Sequence, residues 1–166
     1  MTQIIRFEPQ RIADQLDRLG IRAAAMADGS YMAFFAPDGA RPEMRVLWTA
    51  EGPDKDFFVI RTTSSQCYTP DEWPRIVGLL NEWNRDYREP KAFLVQAEDS
   101  DQARVCAQAM LLTEGGIHDE LLDGFTAMQI DCSAQLFGWL ADRSPARRAE
   151  ATPHASELEE WLRRDT

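Results

Sequence analysis

The chain of 166 residues contains only two histidines and three cysteines. The histidines, His118 and His154, have no partners at the spacing of a metal site or a proton-transfer site, so neither is predicted. The cysteines, Cys67, Cys106 and Cys132, are odd in number, lie far apart and form no CxxC motif. A disulfide framework is therefore not expected, and the chain is predicted to be cytoplasmic.

Several other catalytic patterns are also missing from the sequence. The glycines form neither GxGxxG nor a P-loop, and no serine stands in a GxSxG motif. Cys67 precedes a predicted helix, a position where a thiol can be activated, but no base accompanies it. We therefore predict no catalytic residue, no cofactor and no metal, and we expect that the protein is not an enzyme.

Long apolar runs and an excess of positive charge are absent as well. No segment approaches the roughly 18 apolar residues that mark a membrane span, and no apolar run follows a basic start, so a signal peptide is not expected. The net charge is −10, from 28 acidic and 18 basic residues. This balance disfavours nucleic acid and anionic membranes as partners, because both attract clusters of lysine and arginine.

What is present is the composition of a globular protein, with 44% hydrophobic residues. Residues 1–141 carry regular apolar patterns and are predicted to form one domain. From Asp142 to Ala155 the composition turns to Arg, Ala, Pro and Ser, which indicates a linker. Ser156–Arg164 then predicts a short C-terminal amphipathic helix.

The apolar patterns of residues 1–141 predict helices and hairpin-linked strands. Short runs over residues 22–26 and 31–36 flank Asp28-Gly29, a hairpin signal, and count as one or two strands. Further strands are expected over 44–49, 57–62, 92–97 and 103–111, and helices over 9–19, 69–89 and 117–141. Because the strands come in groups, we predict an α+β fold, with a mostly antiparallel sheet of about five strands and helices on one side. Residues 57–62 are nearly all apolar, which predicts a central strand covered on both faces.

Two details of the helices are also predicted. In the middle helix, Thr69 is the expected N-cap and Glu72 the residue that reaches back to it, and Pro90 is expected to end the helix. The last helix is expected to turn one apolar side inward, which carries Leu121, Phe125, Met128, Cys132, Leu136 and Trp139.

Three cations and an amide gather where the middle helix leads into the next strand: Asn84, Arg85, Arg88 and Lys91. One interpretation is a site for an anion or a carboxylate-rich peptide. The other is structural: the cations complement the negative end of the helix, and Asn84 holds the turn by hydrogen bonds. The sequence leaves both interpretations open.

The predicted C-terminal helix places Leu158, Trp161 and Leu162 on one side. A helix of nine residues is too short to persist alone, since isolated helices below roughly 12–15 residues are marginal. These side chains are therefore candidates for docking on the domain's own surface, on a partner or on a second copy of the chain.

Three segments together resemble the YbjN family of bacterial proteins: EWNRDYREPKAFL (82–94), LLTEGGIHDELL (111–122) and FGWL (137–140). The resemblance spans roughly residues 12–140, and its most specific part is Asn84-Arg85 with Pro90-Lys91-Ala92. It implies a fold like that of the small type III secretion chaperones, which commonly form homodimers and bind other proteins. The family is described as sensory-transduction regulators, with no established enzyme activity or cofactor.

We therefore expect a non-catalytic domain, regulatory or chaperone-like, that binds a protein partner and forms a homodimer. The alternative is a sensor domain that binds a small molecule or anion through Arg85, Arg88 and Lys91. An enzyme is the third possibility, and it would require a deep pocket with converging polar groups.

Overall fold

The computed structural model describes residues 4–39, 42–96 and 101–144. Three helices and six strands follow one another in the order α1, β1–β4, α2, β5, β6, α3. The helices are α1 (Gln10–Arg18), α2 (Trp73–Asp86) and α3 (Asp119–Arg143); the strands are β1 (Ala24–Ala25), β2 (Tyr31–Phe35), β3 (Met44–Glu51), β4 (Phe57–Tyr68), β5 (Lys91–Gln96) and β6 (Ala103–Leu112).

All six strands form one antiparallel sheet in the order β1-β2-β3-β4-β6-β5. The predicted α+β class and the antiparallel sheet are confirmed. The sheet has six strands where about five were expected, and β1 contributes only two residues to it. The predicted hairpin at Asp28-Gly29 joins β1 to β2, with Gly29 at φ +83°, a conformation that glycine adopts without a steric cost.

One face of the sheet carries the hydrophobic core. In register, Val46 lies beside Thr62 and Thr62 beside Ala107, so the alternating residues of β3, β4 and β6 point to one side. The helices bury their apolar side chains against this face, among them Ile12 and Leu16 of α1, Ile76, Leu80 and Trp83 of α2, and Leu122, Phe137 and Leu140 of α3. On β6, this side carries the buried residues Ala103, Val105, Ala107 and Ala109.

The other face of the sheet, called here the open face, meets no helix within the described residues, and residues 57–62 are covered there only in part, by side chains of the sheet itself. Val59 points to the open face and is nevertheless only 1% exposed. Arg61 and Glu51 lie on either side of the Thr49–Val59 pair and form an ion pair across the strands. Long neighbouring side chains thus cover Val59 on this face.

The inward side of α3 also differs from the prediction. Leu121 and Met128 are 53% and 45% exposed, whereas Leu122 is fully buried. The buried side includes polar residues such as Thr126, whose hydroxyl accepts a hydrogen bond of 2.8 Å from Nε2 of Gln15 on α1. The same nitrogen donates to the carbonyl of Leu122 at 2.6 Å. Because α3 buries polar side chains, its apolar pattern did not identify the inward side.

Helix α2 begins later and ends earlier than predicted. The Glu72 carboxylate accepts hydrogen bonds of 2.9 Å from the Thr69 backbone N–H and hydroxyl, but residues 70–72 form a turn and the α-helix starts at Trp73. It ends at Asp86, and the Glu89–Pro90 peptide bond that follows is cis.

Strand β4 contains an irregularity that bears on the site. Thr63 pairs with Cys106 and Cys67 pairs with Arg104, so β4 advances four residues while β6 advances two. Cys67 is therefore part of a strand and not of a loop before a helix. Because the two extra residues are an even number, Thr63 and Cys67 both point to the open face.

Candidate functional site

The open face holds a cleft of about 570 Å³ between the turn that links β1 to β2 and the ends of β5 and β6. A volume of this size lies within the roughly 300–1,000 Å³ of ligand sites. Strands and the β1–β2 turn supply all the lining residues, which include Arg45, Arg61 and Arg104. This cleft is the candidate functional site.

The strand register brings the three arginines to this one surface. Arg45 lies across from Thr63, which pairs with Cys106 on the next strand. Arg61 lies across from Leu47 on one side and Gln108 on the other. Arg104 lies across from Val95. Paired residues of antiparallel strands share a face, so β3, β4 and β6 each contribute one guanidinium to the cleft.

Arg61 is held firmly in this arrangement. Its Nη1 and Nη2 both contact the Glu51 carboxylate, the second at 3.0 Å, and its Nε donates to Oε1 of Gln108 at 2.8 Å. The hydrogen bond from Arg61 holds the pKa of Glu51 below its ordinary value. The forked geometry of arginine suits such a two-point contact with a carboxylate, so Arg61 is fixed in place on the open face.

The other charged groups leave the cleft with an excess of positive charge. Three arginines face two carboxylates, that of Asp28 in the lining and that of Glu51, which pairs with Arg61. Asp28 accepts hydrogen bonds from Ser30, which lower its pKa. Arg104 donates through Nε to Sγ of Cys67 at 3.2 Å. A cationic surface in a chain of net charge −10 is a place where an acidic group binds in preference to the rest of the molecule.

Apolar side chains complete the cleft. Met32 and Leu47 lie beside each other in register, and Phe93 and Val95 are 40% and 45% exposed on the edge strand β5. The buried Cys106 thiol also lines the cleft, and burial raises its pKa, which keeps it protonated. The arrangement can therefore bind a group that is both apolar and acidic.

The predicted residue Asn84 lies away from this cleft, on the helical side of β5. Its Nδ2 donates to the Ala92 carbonyl at 2.8 Å, and its Oδ1 accepts from the Ala92 N–H at 2.9 Å. Asn84 thus joins α2 to the edge of the sheet, as the structural interpretation of this residue describes.

The structure places the three predicted cations around the end of α2. Lys91 Nζ contacts the carbonyl oxygens of Asn84 and Tyr87 at 3.3 and 3.4 Å. Arg85 pairs with the Asp86 carboxylate at 2.8 Å, and both side chains are largely exposed. Arg88 is exposed in the turn after the helix. An anion at this position stays a prediction, and it would compete with the contacts of Arg85 and Lys91.

The predicted docking residues Leu158, Trp161 and Leu162, with the linker before them, lie outside the described residues. The division at residue 141 stays a prediction. Sequence reasoning missed the three cleft arginines as a group. The alternation of β3 and β6 already put Arg45 and Arg104 on the side opposite the core, but only the pairing of strands shows that they are neighbours.

Two further observations concern membranes and metals. Among the described residues, no helix has both the length and the apolar character needed to cross a bilayer. Within the same ranges, no three His, Cys, Asp or Glu side chains come together in the way that metal ligands do.

These features define an α+β domain with one helix-covered sheet face and one open, cationic face. Residues 8–142 match the model of the YbjN family, which is described as "putative bacterial sensory transduction regulator". The chain belongs to the YbjN family, and the resemblance noted from its sequence is confirmed. No curated protein matches the sequence.

A solved structure has the same fold. The crystal structure of YbjN from E. coli, described as "a putative transcription regulator", superposes with a TM-score of 0.67. The superposition covers 85% of this chain and 96% of the E. coli chain, at 11% sequence identity. At this identity the likeness establishes the fold, and a regulatory role comes from membership of the family.

Proposed function

We propose that this regulatory domain binds a protein segment in the cleft on its open face. The observation that carries the proposal is the combination of three arginines with exposed apolar side chains on a face that no helix of the described ranges covers. A segment with acidic and apolar side chains would satisfy both parts of the cleft. Monomeric proteins rarely leave a large apolar patch exposed unless it binds something.

The test places a photo-reactive amino acid at residue 93 of the full chain in cells that produce the protein naturally. Phe93 lies on the cleft rim, so irradiation should give one adduct of defined higher mass. The matched control places the same amino acid at Val77, which is 44% exposed on α2. If residue 93 gives no adduct of higher mass in either the unaltered chain or Trp161→Ala, or only those seen from residue 77, the cleft does not bind a protein partner.

A chaperone-like activity and a homodimer belong to the same proposal. Further apolar side chains of the open face support a contact between copies: Met110 and Leu112 at the end of β6 are 52% and 57% exposed. The chain has a mass of 18.9 kDa, and light scattering at micromolar concentration should give twice that mass. Leu112→Asp should lower the measured mass if this end of the sheet forms the contact, and a strict monomer for the unaltered chain would contradict the dimer.

The anion sensor at Arg85, Arg88 and Lys91 remains the alternative, and the cytoplasmic location stays a prediction. Citrate serves as a probe for the sensor. An anion bound at 100 times its dissociation constant should add about 2.7 kcal/mol to the free energy of unfolding. Glutamine at all three positions should remove that gain.

A further inference from the structure

The last described residues lie near the end of β4. Helix α3 ends at Arg143, whose carbonyl accepts a hydrogen bond from Arg75 near the start of α2. Helix α2 begins just after β4, and Nε1 of Trp73 donates to the Tyr68 carbonyl at 3.0 Å. The end of α3 therefore lies beside the last residues of β4.

The same end of the sheet carries part of the cleft. Tyr68, the last residue of β4, pairs with Ala103, and Ala103 pairs with Gln96 at the end of β5. The neighbouring pair, Arg104 and Val95, lines the cleft. Ser144, the last residue that the structure describes, thus lies toward the end of the sheet that holds Arg104, on its helical side.

The following residues are long enough to pass around this end. Residues 145–155 are eleven, and at about 3.3 Å per residue they reach at most roughly 36 Å. Six strands at about 4.8 Å spacing make a sheet roughly 24 Å wide. Residues 156–164 can therefore reach the cleft around this end of the sheet.

The segment that follows has the chemistry that the cleft would bind. SELEEWLRR, residues 156–164, places Glu157, Glu159 and Glu160 among Leu158, Trp161 and Leu162. The cleft offers three arginines among exposed apolar side chains. The carboxylates match the guanidinium groups in charge, and an indole can cover the rim residues Phe93 and Val95.

We infer that residues 156–164 bind in the cleft of their own chain. The inference rests on the proposed function, because the segment would then occupy the surface assigned to the protein partner. A partner has to displace this segment, so its apparent affinity is its intrinsic affinity multiplied by the fraction of molecules in which the cleft is free. The C-terminal segment would thereby set how strongly the domain responds to its partner.

Methionine methyl groups give a direct test on the full chain. Met26 and Met32 line the cleft, whereas Met128 is exposed on α3. In protein labelled at the methionine methyls, Trp161→Ala should move the NMR resonances of Met26 and Met32, because the ring current of the indole is lost. The Met128 resonance should stay, and dilution should not change the result, because the contact lies within one chain.

The charged part of the contact has its own variant. Replacing Glu157, Glu159 and Glu160 by glutamine should shift the Met26 and Met32 resonances in the same direction as Trp161→Ala does. Asp165→Asn should leave these resonances in place. Unmoved Met26 and Met32 resonances in Trp161→Ala would overturn the inference. A shift at Met128 alone would place the segment on α3, and a shift that vanishes on dilution would place it on a second copy; both contradict the inference.

The two proposals can fail separately. If the methyl resonances do not move but residue 93 still gives its specific adduct, the cleft binds a partner and the segment does not occupy it. If both hold, Trp161→Ala should increase the yield of that adduct, because the segment no longer competes. Absence of the adduct in both the unaltered chain and Trp161→Ala removes the proposed function itself.

Discussion

Asn84 holds both backbone hydrogen-bonding groups of Ala92 with its single side-chain amide. Ala92 lies on β5, the edge strand that pairs with β6 alone. The amide thus takes the place of a neighbouring strand at this residue and fixes α2 against the sheet. This contact explains why an amide side chain stands at residue 84, in the segment that resembles the family.

The first prediction concerns this contact. Asn84→Ala removes two hydrogen bonds, each worth about 0.5–1.5 kcal/mol net, so the free energy of unfolding should fall by roughly 1–3 kcal/mol. Asn81→Ala is the matched control, because Asn81 is exposed on the same helix. Chemical denaturation measures both variants, and equal losses would mean that the Ala92 contact contributes nothing.

A second prediction tests which side of α3 faces the core. Leu122 is fully buried and Leu121 is 53% exposed. Leu122→Ala should lower the free energy of unfolding by about 2–5 kcal/mol through lost burial and a cavity. Leu121→Ala should stay within about 0.5 kcal/mol of the unaltered chain. Denaturation curves that show the reverse order would restore the face expected from the apolar pattern.

The third prediction concerns the glycine pair before α3. Gly116 has φ +83°, and a Cβ there would lie 2.9 Å from the Ile5 carbonyl oxygen. That carbonyl also accepts a hydrogen bond of 2.9 Å from the Ile117 N–H. Gly116→Ala should therefore destabilise the protein by more than about 1 kcal/mol.

Gly115→Ala is its control, since a Cβ at Gly115 meets no atom within 4 Å. Thermal unfolding should place the melting temperature of Gly116→Ala well below that of Gly115→Ala. Similar melting temperatures for the two variants would show that the backbone at residue 116 relaxes without cost.

The fourth prediction is a pH dependence set by Glu51. Its pKa is lowered by the hydrogen bond from Arg61, so the folded protein binds this proton more weakly than the unfolded chain does. The stabilisation by this carboxylate is present above the unfolded pKa of about 4.3 and is lost as the pH falls through the lower folded value. Since both side chains are about one third exposed, it should amount to no more than about 1 kcal/mol.

Glu51→Gln should therefore reduce the free energy of unfolding at pH 7, and its difference from the unaltered chain should shrink below about pH 4. Urea denaturation at several pH values measures this difference. Glu114→Gln, at an exposed position after β6, should show no such trend. A difference that stays constant with pH would exclude the ion pair as its cause.

The sequence predicted the strands better than the helix faces, for a physical reason. In β6, small and branched residues alternate with polar ones, and a period of two allows one inward face only. In α3, apolar side chains surround much of the helix while Thr126, Gln129 and Ser133 are buried. Only the partners of those polar groups, such as Gln15 on α1, show which side lies inward.

The candidate site could not be predicted from the sequence, for a different reason. Arg45, Arg61 and Arg104 are separated by 16 and 43 positions, and no local pattern links them. Their meeting depends on the register of three strands, which includes the irregular stretch of β4. The cluster of Asn84 and Lys91 was visible because one helix end and one turn hold it together locally.

The two extra residues of β4 between Thr63 and Cys67 also limit how this stretch can vary in length. Losing one residue between Thr63 and Cys67 would invert the end of the strand and turn the buried Tyr68 out toward solvent. Losing or gaining two would keep every later side chain on its own side. Viable length changes here should therefore come in even steps, and a relative with an odd change would need a second, compensating one before α2.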